Sequence, residues 1–551
     1  MIPPQFLRFL LPDTNPLGFA ADDFIFLGLA AMLTAAFLLR APVLRFSRSL
    51  APRTAVCMSL LFALPILLRL ALLAHHPVPA PLAADDFSYL LLGDTLAHLR
   101  LANAMHPMRR FFETVFILQS PSYSSIYPLG QGMVLGAGQL LLHQPWAGVV
   151  VSVGLLAALC YWMLRAWAPP VWALLGGVLA AFQFGPLSPW MNTYWGGAVS
   201  GIAGCLIFGA IPRRRSKAAI LLGLGLGLQL LTRPFEFALL LPVVLLFRLP
   251  RRTLTIAALV LLPAAGLTLL QNKQVTGSWL TLPYQLSRYQ YGIPATFTVQ
   301  PNPLPHQPLT IEQQVDYDFQ VAVHGPATDT FRGYFSRLLT RIRFYGFFFP
   351  APLYLVLPAF LLCLRQNRFR LVTAALAILW LGGAFYPYFY PHYIAAATCL
   401  FVLIGIESLR QLTRIRFGRE LAGMLLTLCF AYFGFWYGIY ASGSQSLLAA
   451  IDEQDTFNEI NTGDPEGRLA IDRTLQQAPG QQLVFIHFSP SHGARDWIYN
   501  SADIDRSRIV RAIDLGPAED AALRRYYPDR RAWLLEADTR PPRLSALPPQ
   551  P

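Results

Sequence analysis

Apolar residues run along this chain in long blocks separated by short polar stretches, and block length sets the first prediction. A helix needs about 20 mostly apolar residues to cross a hydrocarbon core. On that rule the blocks predict twelve membrane-spanning helices, over 23–40, 54–74, 146–166, 170–187, 195–212, 218–232, 234–249, 253–271, 344–364, 371–387, 392–409 and 420–441. The block "YPLGQGMVLGAGQLLLH", 127–143, is marginal in length and rich in glycine, and is placed as a re-entrant or interfacial helix. Beyond residue 441 the pattern changes. Strand-like segments occur at 482–488 (QLVFIHF), 508–515 (RIVRAIDL) and 531–538 (RAWLLEAD). Helical patterns, "GRLAIDRTLQQ" and "PAEDAALRRYY", precede the first and separate the last two. Strands alternating with helices predict a small parallel-sheet βαβ unit. The expected fold class is a polytopic α-helical membrane protein of about twelve transmembrane helices, 1–441, followed by a small soluble α/β domain, 442–551.

Composition agrees with this pattern. The 551 residues are 54% hydrophobic and 13% charged, with a mean hydropathy of +0.43, more apolar and less charged than soluble domains. The net charge of +13 does not predict nucleic-acid binding, which needs basic residues gathered on one face. They sit instead in short clusters between apolar blocks: Arg40, Arg45, Arg48 and Arg53, then "RRRSK" at 213–217, "RLPRR" at 248–252, "RQNRFR" at 365–370 and "RQLTRIRFGR" at 410–419. Such clusters mark cytoplasmic loops. Both termini and the segments 75–145, 188–194, 232–235, 272–343 and 387–391 then face outward. A thirteenth crossing at 127–143 would invert every later cluster. All six cysteines lie in apolar blocks at no metal-ligand spacing, so neither disulfides nor a zinc site is expected. The opening residues lack a basic region and a cleavage site, and no cleaved signal peptide is expected.

Ionisable residues at membrane depth are costly and point to function. On the outward side these include the adjacent pair Asp85 and Asp86, with Asp94, His106, Glu113, Arg233, Glu236, Lys273, Arg288 and His392. Adjacent residues cannot share a helix face, so one aspartate of the pair can cap the helix that follows while the other faces a cavity. Arg233 precedes Pro234 where two spans meet; proline breaks the helix there, and arginine suits a bidentate phosphate contact. The same arginine could equally snorkel to the interface. "YPYFYPHYIAAA", 386–397, presents His392 and Tyr393 within aromatics of the kind that also form a headgroup belt. "HPMRRFFETVFILQSPSYSSIYPLGQG" and "GPLSPWMNTYWGGA" supply Tyr127, Asn192, Tyr194 and Trp195, types that stack on and hydrogen-bond a sugar but also anchor at membrane surfaces. His106 and Glu113 lack the spacing of a single-helix metal site. A divalent cation held by Asp85, Asp86 and His106 stays open as an addition.

The acidic pair after an early span, the long outer segment, "SPSYSSIYPLGQG", "TRP" and "YPHY" together resemble the GT-C superfamily of integral membrane glycosyltransferases. That group includes protein O-mannosyltransferases and the lipid A aminoarabinose transferase, and the closest look is to bacterial glycosyltransferase family 39-like proteins. The resemblance covers the layout of residues 54–400. It implies a GT-C-like fold and inverting transfer of a sugar from a polyprenyl-phosphate donor to a lipid, glycan or protein acceptor, on the periplasmic face of a bacterial inner membrane. By position, it places the catalytic base on Asp85 with Asp86 assisting. Arg233, with His392 and Lys273, would steady the donor phosphate, and His106, Glu113, Tyr127, Asn192, Tyr194, Trp195 and Tyr393 would contact substrate. The family pair is often Asp-Glu where this chain has Asp-Asp, and the span before residue 54 is extra.

No Walker A motif and no strand-linked G-x-G-x-x-G occurs, so no nucleotide cofactor is expected. Other readings of the same pattern are a glycolipid transporter or flippase, a glycan ligase or polymerase on another membrane fold, and a scaffold whose tail binds a partner. Transporters usually show paired halves and helices broken at midplane; neither is visible here.

Overall fold

The computed structural model describes residues 21–548 apart from 214–215, 326, 446, 449–457, 461–463, 465–466 and 494. The opening residues 1–20 and Arg214 and Arg215 of the "RRRSK" cluster lie outside the described residues. Helices of nine or more residues are numbered in chain order. In the first half they are α1 (Ala21–Leu50), α2 (Thr54–Ala71), α3 (Ala84–Ala97), α4 (Leu129–Leu142), α5 (Pro145–Leu164), α6 (Pro170–Gln183), α7 (Ala198–Ala210), α8 (Ser216–Thr232) and α9 (Pro234–Leu246). In the second half they are α10 (Arg251–Thr276), α11 (Pro283–Tyr291), α12 (Ile311–His324), α13 (Phe331–Thr340), α14 (Asn367–Gly383), α15 (Thr398–Leu412), α16 (Gly418–Ser442), α17 (Arg468–Gln477) and α18 (Pro517–Tyr526).

Among the described residues five helices are long and apolar enough to cross a membrane: Thr54–Ala74, Pro145–Leu164, Arg251–Thr276, Pro391–Leu412 and Gly418–Ser442. Six further apolar helices are shorter, among them Leu129–Leu142, Ser216–Thr232 and Pro234–Leu246. In α10 only 6% of the apolar window is buried, and Leu259 and Leu262 are each 61% exposed. An uncovered apolar face of that extent suits lipid, not water. Pro391–Leu412 is the reverse, with 89% of its window buried, and forms the centre of the bundle.

Two predicted spans differ in form. The expected basic loop after 40 is helical as far as Leu50, and the chain turns only where Ala51 precedes Pro52, since a residue before proline leaves the α region. The block 344–364 is no α-helix. It consists of three 3-10 segments, Arg341–Phe348, Ala351–Leu355 and Leu357–Arg365, because Pro350, Pro352 and Pro358 remove the N–H groups an α ladder needs.

Close approach brings the remaining helices together. A Cβ on Gly204 of α7 would lie 1.8 Å from the Ala396 carbonyl oxygen, so only glycine lets α7 press against the 3-10 turn Pro391–Ala397 that leads into α15. Between α3 and α4 the chain forms a short antiparallel hairpin, β1 (Ile117–Leu118) and β2 (Ser124–Ser125). Ser88 of α3 is fixed to it, with Oγ donating to the Phe116 carbonyl at 2.7 Å and lying 2.8 Å from Ser125 Oγ.

The C-terminal region holds a sheet of β3 (Gln482–His487), β4 (Ile509–Ile513), β5 (Arg531–Glu536) and β6 (Arg543–Ala546), ordered β4-β3-β5-β6. The first three are mutually parallel; β6, which the pattern did not predict, pairs antiparallel with β5 at the edge. Strand alternation divides β3 between two cores. Leu483 and Phe485 pack with Leu91, Phe111, Phe112 and Tyr123, while Val484 and Ile486 pack with Leu475 of α17 and Ile513. The sheet therefore covers the 84–127 segment and lies on the same side as the acidic pair.

Candidate functional site

Helix α3 opens at Ala84, with Ala83 as its N-cap in an extended conformation. Neither aspartate is the cap. Asp86 sits at the third helical position, and its Oδ2 accepts the N–H groups of Leu82 (3.0 Å) and Ala83 (3.4 Å). Its Oδ1 accepts the Tyr194 N–H at 2.8 Å. Asp86 is buried, and its capacity is spent on tying the 188–194 turn to the start of α3. Burial raises its pKa, partly offset by these N–H donors.

Asp85 points elsewhere, as adjacent helical positions must. Its one protein hydrogen bond among the described residues comes from the Tyr127 hydroxyl. Tyr127 is itself stacked on Tyr89 at 4.1 Å and set edge-on to Tyr284 at 5.6 Å. Gln271 of α10 fixes its backbone, donating to the Tyr127 carbonyl at 2.9 Å. Asp85 is deep yet keeps part of its surface open. Burial raises its carboxyl to about 6; the Tyr127 hydroxyl pulls it down, the Asp86 charge pushes it up, and the Arg233 charge favours the ionised form.

Arg233 occupies the break between α8 and α9, where Thr232 ends one helix and Pro234 takes the first position of the next. Its guanidinium lies 4.9 Å over the Tyr393 ring and 3.9 Å from Glu236 Oε1, too far for a hydrogen bond. The close approach of α4 fixes this corner: a Cβ on Gly130 would lie 2.2 Å from Thr232 Oγ1. Beside it is a cavity of about 230 Å³ lined by Arg233, Glu236, Tyr284, Arg288, Tyr386 and Tyr393. Arg288 lends it little free charge, since Nε and Nη2 already donate to the Pro294 and Ala295 carbonyls at 2.9 Å. Tyr386 and Tyr393 both lie within the field of Asp85. Cation and rings line this chamber; Asp85 does not, and is joined to its wall through Tyr127, which sits edge-on to the lining Tyr284. The arrangement sets a proton acceptor, Asp85, next to a chamber that can hold an anion at Arg233.

No family model matches the chain, and no curated protein matches it. Among solved structures it is similar to the crystal structure of the Archaeoglobus fulgidus oligosaccharyltransferase in the apo form, at 11% identity and a TM-score of 0.37, over 79% of this chain and 62% of that one. The chain thus spans less than two thirds of that protein's length. A likeness this loose fixes neither fold family nor chemistry.

Several expected site residues are placed outside the chamber. Lys273 is exposed and donates to the Gly277 carbonyl at 2.7 Å, closing the end of α10. Asn192 is saturated: Nδ2 donates to the Pro186 and Ser188 carbonyls at 3.0 and 2.9 Å, and Oδ1 accepts from Arg69 Nε at 2.8 Å. The Tyr194 hydroxyl donates to the Pro79 carbonyl at 2.9 Å. His106 docks the C-terminal sheet. Its Nδ1 accepts the Met108 N–H at 3.0 Å, which leaves Nε2 as the donor to Asp505 Oδ1 at 3.0 Å. Glu113 is half-buried near Arg109 and Arg110 and is raised by burial. It does not line the cavity. His392 is buried behind the wall between Trp195 (5.0 Å) and Tyr390 (5.7 Å), so it and Trp195 back the aromatic edge without lining the cavity. Asp85, Asp86 and His106 do not form a cation site, and among the described residues no group of three His, Cys, Asp or Glu could hold a metal.

The sequence reading did not single out Tyr89, Tyr284 or Tyr386 individually. Tyr284 carried one usable signal: it follows Pro283 at the start of the amphipathic helix α11.

Proposed function

We propose that this chain is a membrane glycosyltransferase. It transfers a sugar from a polyprenyl-phosphate donor to a hydroxyl of a lipid, glycan or protein acceptor, with inversion, on the periplasmic face of a bacterial inner membrane. The acceptor oxygen attacks the anomeric carbon, the bond from that carbon to the phosphate oxygen breaks, the acceptor proton passes to Asp85, and polyprenyl phosphate departs. Arg233 stabilises the charge that grows on the leaving phosphate, and the tyrosines orient the sugar ring. Asp86 is a positioning residue. No cofactor enters these steps.

One observation carries the reading: Asp85, the member of the pair with unused acceptor capacity, lies next to the wall of the chamber that holds Arg233, joined to it through Tyr127 and Tyr284. A carboxyl raised to about 6 remains ionised at neutral pH and is a stronger base than an ordinary aspartate. The test incubates detergent-purified protein with polyprenyl-phosphate hexoses and pentoses and membrane acceptors, with no gradient present. Mass spectrometry should find a glycosylated acceptor with wild-type protein and none above background with Asp85→Asn. Well-folded wild-type protein that leaves every donor intact refutes the proposal.

A further inference from the structure

The C-terminal sheet carries a second cavity, unconnected with the Asp85 chemistry. From β3 the chain passes to β4 on one side, then crosses back to β5 on the other. The segments leaving the carboxyl ends of β3 and β5 therefore diverge, and in open parallel sheets that divergence makes the crevice where ligands bind. Here it measures about 470 Å³, with Ser489, Ser491 and Arg495 after β3 and Asp538, Thr539 and Arg540 after β5. That volume lies within the range of small-molecule sites.

The crevice is built, not a loose gap between loops. Asp538 ties the two segments together, its Oδ2 accepting the Ser489 N–H at 2.8 Å and its Oδ1 lying 2.7 Å from His492 Nδ1. Its acids are thereby occupied: Asp538 by these donors and Glu536 by Arg543. His487, also in the lining, has Nδ1 2.8 Å from Asp514 Oδ2, which directs its second nitrogen away from that partner. Arg495 and Arg540 form no ion pair among the described residues. The unspent groups are thus two guanidinium forks and the second nitrogen of His487, beside the Ser489 and Ser491 hydroxyls, which hydrogen-bond each other at 3.0 Å and keep acceptor positions open. Guanidinium forks match phosphate and carboxylate oxygens; hydroxyls and imidazole both donate to and accept from sugar hydroxyls.

We propose that this crevice binds a sugar bearing a phosphate or carboxylate, as a site separate from the Asp85 chamber. Calorimetric titration of the full-length protein in detergent tests it, with glucose 6-phosphate, glucuronate, glucose and inorganic phosphate as probes. One or both anionic sugars should bind saturably, the tighter one identifying the anion preferred, and glucose should not. The Arg495→Ala/Arg540→Ala variant should weaken that binding about tenfold or more. Ser491→Trp, at an exposed position that can accept bulk, should block it by filling the crevice with the arginines intact. Arg233→Ala and Asp85→Asn should leave it unchanged, which keeps the outcome independent of the transfer reaction. The proposal is overturned by absence of saturation, by equal affinity for glucose or for inorganic phosphate, by retention of binding in both crevice variants, or by its loss in Arg233→Ala.

Discussion

The two ends of helix α3 meet different neighbours. At its start, Asp85 receives one tyrosine hydroxyl, from Tyr127, which stands against the Tyr284 wall of the chamber containing Arg233. Near its end, Asp94 accepts the Ala502 N–H at 2.7 Å on the face that the C-terminal sheet covers. That docking face continues through His106 with Asp505, and through Glu312, whose two oxygens accept the Trp497 N–H at 3.0 Å and the Thr114 hydroxyl at 3.1 Å. Both regions are rich in ionisable groups at or near burial. What separates them is spare capacity. On the docking face the carboxylates are occupied by protein donors and hold parts together; at the chamber a guanidinium in the wall and a carboxylate just behind it retain unused positions. A charged group kept incompletely paired in a partly desolvated place costs stability, and groups of this kind cluster at functional sites.

The sharpest way to break that contrast is within the acidic pair. Asp85→Asn should lower transfer by about 10²–10⁴-fold, the usual contribution of a general base, with little change in thermal unfolding. Asp86→Ala should do the opposite first, leaving three N–H groups without their acceptor at about 1–3 kcal/mol for each one that stays buried and unpaired. Its signature is a lowered unfolding temperature. Equal effects of the two on folding would erase the distinction.

Arg233→Lys comes next. It keeps the charge but loses the planar fork and the stacking on Tyr393, and should reduce transfer about tenfold or more, with unfolding unchanged. Gly130→Ala should produce a related loss through overpacking of about 1–3 kcal/mol, since its Cβ would collide with Thr232 beside Arg233.

The pH profile gives a finer test. Asp85 acts as a base only when ionised, so transfer should rise with pH through about 6 and level off above it. Tyr127→Phe removes the hydrogen bond that lowers this pKa, so the acid limb should move to higher pH. A profile that stays in place would detach Tyr127 from Asp85.

The smallest effect belongs to the docking face. Burial, followed by the Asp496 charge, raises Glu312 to about 8. The raised value favours the folded state fully below the ordinary carboxyl pKa, and the contribution is lost as pH rises toward 8. Docking of the C-terminal sheet, read by limited proteolysis, should therefore loosen toward alkaline pH, and Glu312→Gln, which stays neutral, should flatten that dependence. Lys273→Ala should change nothing beyond about 0.5 kcal/mol, as an exposed site does.

Much of the framework was legible in the chain. The helix break at Pro234 follows from proline's missing donor, and the β3, β4 and β5 positions follow from short apolar runs between helical patterns. The block 344–364 shows where apolar content alone misleads, because three prolines permit only 3-10 turns there. Site residues were harder to read. Asp85, Arg233, Tyr127 and Tyr393 were visible as polar or aromatic groups between or at the ends of apolar blocks, but so were Lys273, Asn192, Tyr194 and His106.

The sequence alone determined where many of the helices and the strands β3, β4 and β5 lie, and which ionisable and aromatic residues lie between apolar blocks, because propensity, proline placement and hydrophobic run length are local properties. Only the tertiary structure decided which of those residues share a chamber and which are consumed in holding it, because a side chain's remaining hydrogen-bonding capacity depends on partners up to hundreds of positions away, such as Asp505 for His106 and Tyr194 for Asp86.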